Sequence, residues 1–125
     1  NHVFAHSKKL IDSISGKVPI IHFGTGNPSL LPLMTEAGGD VMALDWRAPL
    51  KESWDLLGCK AVQGNMDPIA LFGSVDSVRQ TAESILEEVG GRPGHIFNLG
   101  HGILPETPVE NVRALVEFVQ GYEIS

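Results

Sequence analysis

Four short apolar runs, each followed by a helical pattern, restrict this chain more than any other feature of its sequence. The runs fall at 18–23, 41–46, 61–64 and 95–99. In Val18-Pro-Ile-Ile-His-Phe23 and Val41-Met-Ala-Leu-Asp-Trp46, consecutive rather than alternate positions are apolar. Both faces of such strands need cover, which is the pattern of a parallel sheet flanked by helices. Residues 3–15 place Val3, Phe4, Leu10, Ile11 and Ile14 on one helical stripe, stopped by Gly16. Asn27-Pro28 reads as the cap and first position of a helix to Ala37, ended by Gly38-Gly39. Pro49 opens a third, with Leu50, Trp54 and Leu57 at helical spacing and Gly58 as its stop. Met66 to Phe72 reads as a helical turn. Ser74 starts the longest helix, with Val75, Val78, Ala82, Ile85, Leu86 and Val89 facing inward as far as Gly90-Gly91. Val112, Leu115, Val116 and Val119 stripe the last. The expectation is α/β: a helix, then four strand–helix units, with parallel strands adjacent in chain order and right-handed crossovers.

Composition bounds the function classes. A chain of 125 residues makes one domain, 1–125, with a modest core. Its formal charge of −6 gives no electrostatic case for nucleic acid or an anionic membrane surface. No apolar run approaches the ~20 residues of a membrane span. One cysteine, Cys59, excludes an internal disulfide and suits a reducing cytoplasm. It has no partnered base nearby, which argues against a nucleophile. The chain opens at Asn1, without Met, directly into a helical pattern, and this reads as truncation.

Every candidate for chemistry lies where a strand ends. His22, Gly24 and Thr25 follow the first run; Asp45, Trp46 and Arg47 the second; Gln63, Asn65 and Asp67 the third; Asn98, His101 and Gly102 the fourth. In α/β sheets and barrels this is the ligand-binding end. His101 is the strongest candidate. It sits between Gly100 and Gly102, which supply no apolar neighbours and turn the chain freely at positive φ. Thr107, Pro108 and Glu110 then read as cap, first turn and capping box of the last helix. The others have structural alternatives. Asp45 braces Arg47 or a loop, Asp67 before Pro68 caps a turn, and His22 within an apolar run is a satisfied core histidine. Gln63 points into the interior of a barrel. Gly24-Thr-Gly-Asn27 lacks the full glycine fingerprint of a nucleotide loop. His2, His6 and His95 read as surface or structural, and Glu87-Glu88 as a solvated helix face.

Three ordered segments carry a resemblance: Gly39-Asp-Val-Met-Ala-Leu-Asp-Trp46, Val62-Gln-Gly-Asn-Met-Asp-Pro68 and Asn98-Leu-Gly-His-Gly-Ile-Leu-Pro-Glu-Thr-Pro108. Together they resemble the C-terminal portion of the uroporphyrinogen decarboxylase family, and the resemblance covers nearly the whole chain. It implies a (β/α)8 TIM barrel of which this chain supplies about half, units five to eight preceded by a helix. It implies decarboxylation of the four acetate groups of uroporphyrinogen III to give coproporphyrinogen III, with no metal and no organic cofactor. The substrate's own pyrrole is the electron sink after ring protonation. The family's aspartate, arginines, tyrosine and serine lie in a part absent here, so no catalytic residue is assigned in this chain. Only the substrate-contacting histidine carries over, onto His101. The implied partners are the N-terminal half of the barrel and a second copy in a cytoplasmic homodimer. The chain alone is expected to be inactive and unstable, with open strand edges and an uncovered inner face.

Two other readings are open. Cobalamin-linked methyltransferases of the same superfamily carry a His-x-Cys zinc motif after the first of these strands and a cysteine near the last. Here the corresponding residues are His22-Phe23-Gly24 and Gly100-His101, with no thiolate for such a zinc. The third reading is a non-catalytic half-barrel interaction module.

Overall fold

The computed structural model describes residues 2–23, 31–58 and 60–122. The expectations on Gly24, Thr25, Gly26, Asn27, Pro28 and Cys59, and on the His2 side chain, lie outside the described residues. The order is α1 (His2–Ile14), β1 (Ile21–Phe23), α2 (Leu31–Ala37), β2 (Val41–Ala43), α3 (Leu50–Leu57) and β3 (Val62–Gln63). A 3-10 turn (Pro68–Phe72), α4 (Val75–Val89), β4 (His95–Ile96) and α5 (Val109–Gly121) follow. The strands form one parallel sheet in the order β1-β2-β3-β4.

Each strand is shorter than the apolar run that encodes it. β1 starts at Ile21: the Ile20 amide donates to the Asp40 side chain at 2.7 Å, while Ile20 O accepts from Val41 N at 3.0 Å. Past Gln63 the contact between the third and fourth units continues less regularly. Met66 N donates to Asn98 O at 3.1 Å, and a single bridge joins Met66 to Leu99. The intervening Asn65 turns away, its amide nitrogen donating to Asp45 O and Ala48 O.

Local chemistry explains most boundaries. Gly58 and Gly90 close α3 and α4 in left-handed geometry, at φ 64° and 63°. Ser74 caps α4 by accepting from Ser77 N at 3.1 Å, and Asp67 caps the 3-10 turn through Ile69 N at 3.0 Å. The expected cap of α5 fails. Pro108 takes the N-cap position with no side-chain bond, and Thr107 Oγ1 is buried without a partner among the described residues. Proline at the cap shifts the helix start by one residue, so Thr107 no longer reaches its first amides. Asn111 ties this end down instead, donating to Leu71 O and Gly73 O at 2.7 and 2.8 Å.

Register sorts the sheet into two faces. His22, Met42, Val62 and His95 lie in one row on the helix side, where Met42 and Val62 are buried. Phe23, Ala43, Gln63 and Ile96 form the row on the opposite face. There Ile21, Phe23 and Ile96 are 49%, 45% and 42% exposed, so that face is largely uncovered. On the helix side Leu31, Leu44, Ala48, Leu50, Trp54 and Val62 form one core cluster. Met66, Leu71, Val78, Ala82 and Leu115 form a second, and Ile85 of α4 packs against both. The α1 stripe is only partly used. Ile11 is buried, whereas Val3 and Leu10 are exposed. Among the described residues, α1 at the edge of the four units packs mainly against α2.

Candidate functional site

The chain beyond β4 runs through Phe97, Asn98 and Leu99 into the loop that carries His101. Its seat is Gly100. The Gly100 amide donates to Met66 O at 2.7 Å. A Cβ at Gly100 would stand 2.2 Å from Trp46 N and 2.6 Å from Trp46 Cα. Glycine is therefore demanded by the close approach of two backbones. The positive φ expected at Gly100 and Gly102 does not occur at either, and a Cβ on Gly102 would meet open space. His101 itself is exposed. With Phe23, Ala43, Gln63, Asn98 and Ile103 it lines a cavity of about 460 Å3 on the uncovered face.

The neighbouring strand-end residues are engaged in holding loops. Asp45 is buried, with both oxygens 3.2 Å from Arg47 Nη1 and Oδ1 accepting the Arg47 amide at 3.0 Å. The same guanidinium lies 4.6 Å from the centre of the Trp46 ring. Asn65 fixes this turn from the third unit through its bonds to Asp45 O and Ala48 O. Asp45, Asn65 and Asp67 thus brace the loops around the cavity, and none of them lines it. Asn98 does line it, while its Oδ1 accepts the Leu99 amide at 2.8 Å.

The two strand histidines face the helices. His22 Nδ1 lies 3.2 Å from Gly38 O. His95 Nε2 lies 2.7 Å from Gly64 O, so that nitrogen carries the proton. Burial pushes the His95 pKa below its ordinary 6.5, and the bond to Gly64 O opposes this only in part. Of the sequence-derived candidates, the structure gathers His101, Gln63, Asn98 and Gly102 at one cavity. The role of Trp46 as the wall behind the loop had no sequence signal, because it depends on its backbone and not on its ring.

The chain is similar to known proteins along nearly its whole length. The uroporphyrinogen decarboxylase (URO-D) family model matches residues 1–122. The chain is 50% identical over 124 residues to the uroporphyrinogen decarboxylase of Koribacter versatilis. It is 51% identical over 119 residues to that of Solibacter usitatus and over 120 residues to that of Thermus thermophilus. These matches take in 97%, 94% and 95% of this chain, but only 35%, 34% and 35% of the relatives. The chain therefore spans about a third of the length of the curated relatives it matches. The match of the family model along nearly the whole chain, with which the parallel α/β sheet is consistent, establishes that this chain belongs to the uroporphyrinogen decarboxylase family.

Proposed function

We propose that this segment forms the C-terminal part of an enzyme converting uroporphyrinogen III to coproporphyrinogen III, with His101 as its substrate-contacting residue. The observation that carries the reading is the place of His101, at the carboxyl end of the fourth strand and on the cavity of the uncovered sheet face. The reaction protonates a pyrrole carbon, which makes the ring an electron sink. The bond from the acetate methylene to its carboxylate then breaks and CO2 leaves. Its electron pair passes into the ring, the methylene takes up a proton to become a methyl group, and the ring carbon releases the proton it first took, which restores the pyrrole. His101 can donate a hydrogen bond to a substrate carboxylate, and as imidazolium it would also offset substrate charge. An octa-acid needs more positive field than a chain of net charge −6 supplies. The rest of the barrel is assigned that role, and a cytoplasmic homodimer belongs to the same reading.

Two experiments test it. In a full-length enzyme carrying this segment, His101→Asn is expected to lower kcat/KM roughly ten- to hundredfold, the effect of losing one hydrogen bond to a charged group. Its thermal midpoint should stay unchanged, because the residue stands on an exposed loop. Wild-type kinetics would reduce His101 to a loop-bracing residue. The isolated 125-residue chain is expected to give no turnover of uroporphyrinogen; turnover free of full-length contaminant would refute the assignment of catalysis to the missing portion.

A further inference from the structure

We infer that Gln63 is a second substrate contact in this cavity, donating from its side-chain amide to a substrate carboxylate beside His101. The inference rests on the decarboxylase reading above and deepens it.

Register places Gln63 in a row with Phe23, Ala43 and Ile96, where it is the one polar side chain. On one side its neighbour is Ala43, whose methyl leaves room above the sheet. The cavity that Gln63 lines is also the one that His101 and Asn98 line. No hydrogen bond to the Gln63 side chain occurs among the described residues, although its backbone oxygen accepts from Leu44 N at 2.8 Å. An amide left among apolar groups without a partner is costly once water is excluded. A ligand that brings the missing partner removes this cost.

The residue type also points to the chemistry. The proposed substrate is rich in carboxylates. An arginine or lysine between Ala43 and Ile96 would have to shed its hydration on an apolar surface, at a penalty that one carboxylate need not repay. A glutamine offers two N–H donors without that penalty. It can therefore hold a carboxylate deep in the cavity while His101, nearer solvent, supplies the group able to carry charge.

The test compares two near-isosteric variants in a full-length enzyme carrying this segment, with uroporphyrinogen as the probe. Gln63→Glu keeps the shape but exchanges the donors for a negative oxygen. It is expected to raise KM by at least about tenfold, with an unchanged thermal midpoint. Gln63→Met removes the polar group without adding charge and is expected to raise KM by less. Wild-type KM in Gln63→Glu would overturn the inference. So would a lowered KM, which would mean that the side chain accepts from a pyrrole N–H. A drop in thermal midpoint in both variants with KM unchanged would also overturn it, since the amide would then be paired within the protein. An active wild-type enzyme with an indifferent Gln63→Glu variant refutes this inference alone. A wild-type enzyme without decarboxylase activity refutes the underlying reading as well.

Discussion

Gly100→Ala, in a full-length enzyme carrying this segment, is expected to cost about 3 kcal/mol of stability, at the upper end of what overpacking usually costs. It should also reduce kcat/KM at least as far as His101→Asn does. The added methyl would sit 2.2 Å from Trp46 N and 2.7 Å from Trp46 Cβ. Two of its three nearest atoms are backbone, so no rotamer change makes room. The turn behind Trp46 cannot easily retreat. Asp45 and Arg47 clamp it from one side, and Asn65 holds it through Asp45 O and Ala48 O. The His101 loop must therefore move instead, breaking the Gly100 N to Met66 O bond and carrying the imidazole off the cavity. Gly102→Ala is the control. Its methyl meets nothing within 4 Å, and stability should not change. Urea unfolding and steady-state kinetics on both variants decide the matter. Wild-type stability in Gly100→Ala would mean that the loop is not seated on Trp46.

The two glycines show where sequence reading works and where it stops. Patterns set by local chemistry were legible. Runs apolar on both faces announced a parallel sheet, and Gly58, Ser74 and Asp67 announced where elements end. Gln63 reads from sequence as facing a barrel interior, and in the structure it lines the cavity on the uncovered face. Features set by contacts between distant segments were not legible. A glycine before His101 suggests positive φ, but the reason for Gly100 is Trp46, more than fifty residues earlier in the chain. Thr107 had the spacing of a cap, yet Pro108 took the position, and Asn111 anchors the helix through Leu71 O and Gly73 O. The strand-end position of Asn65 is compatible with a bracing role, but only the structure shows that its amide serves two carbonyls of a neighbouring loop. Asp45 could be weighed both ways from sequence, and only the position of Arg47 Nη1 between its oxygens separates the two.

Trp54→Ala should have the largest effect on stability of any change in the helix-side core, about 3–5 kcal/mol by analogy with other buried aromatic truncations. Trp54 is 1% exposed in the cluster that joins α2, α3 and the strands. It also organises charge. The Arg92 guanidinium lies 4.0 Å from its ring centre and reaches Asp55 Oδ1 at 2.6 Å, linking α3 to the segment before β4. Loss of the ring removes this platform along with the packing. A second consequence distinguishes this change from a simple cavity. The His95 ring centre lies 6.5 Å from that of Trp54, and burial holds the His95 pKa below 6.5. The unfolded chain therefore binds the His95 proton at higher pH than the folded one does. As pH falls from 6.5 towards the folded pKa, the unfolded state takes up more protons and stability drops. Water admitted where the indole stood should relieve the desolvation and return the His95 pKa towards 6.5. The variant should thus be less stable throughout, yet lose less further stability between neutral and mildly acidic pH than the wild type loses. Denaturant unfolding across that range, with the His95 titration followed by NMR, measures both effects. A wild-type His95 titration in Trp54→Ala would mean that the indole does not shield that ring from solvent.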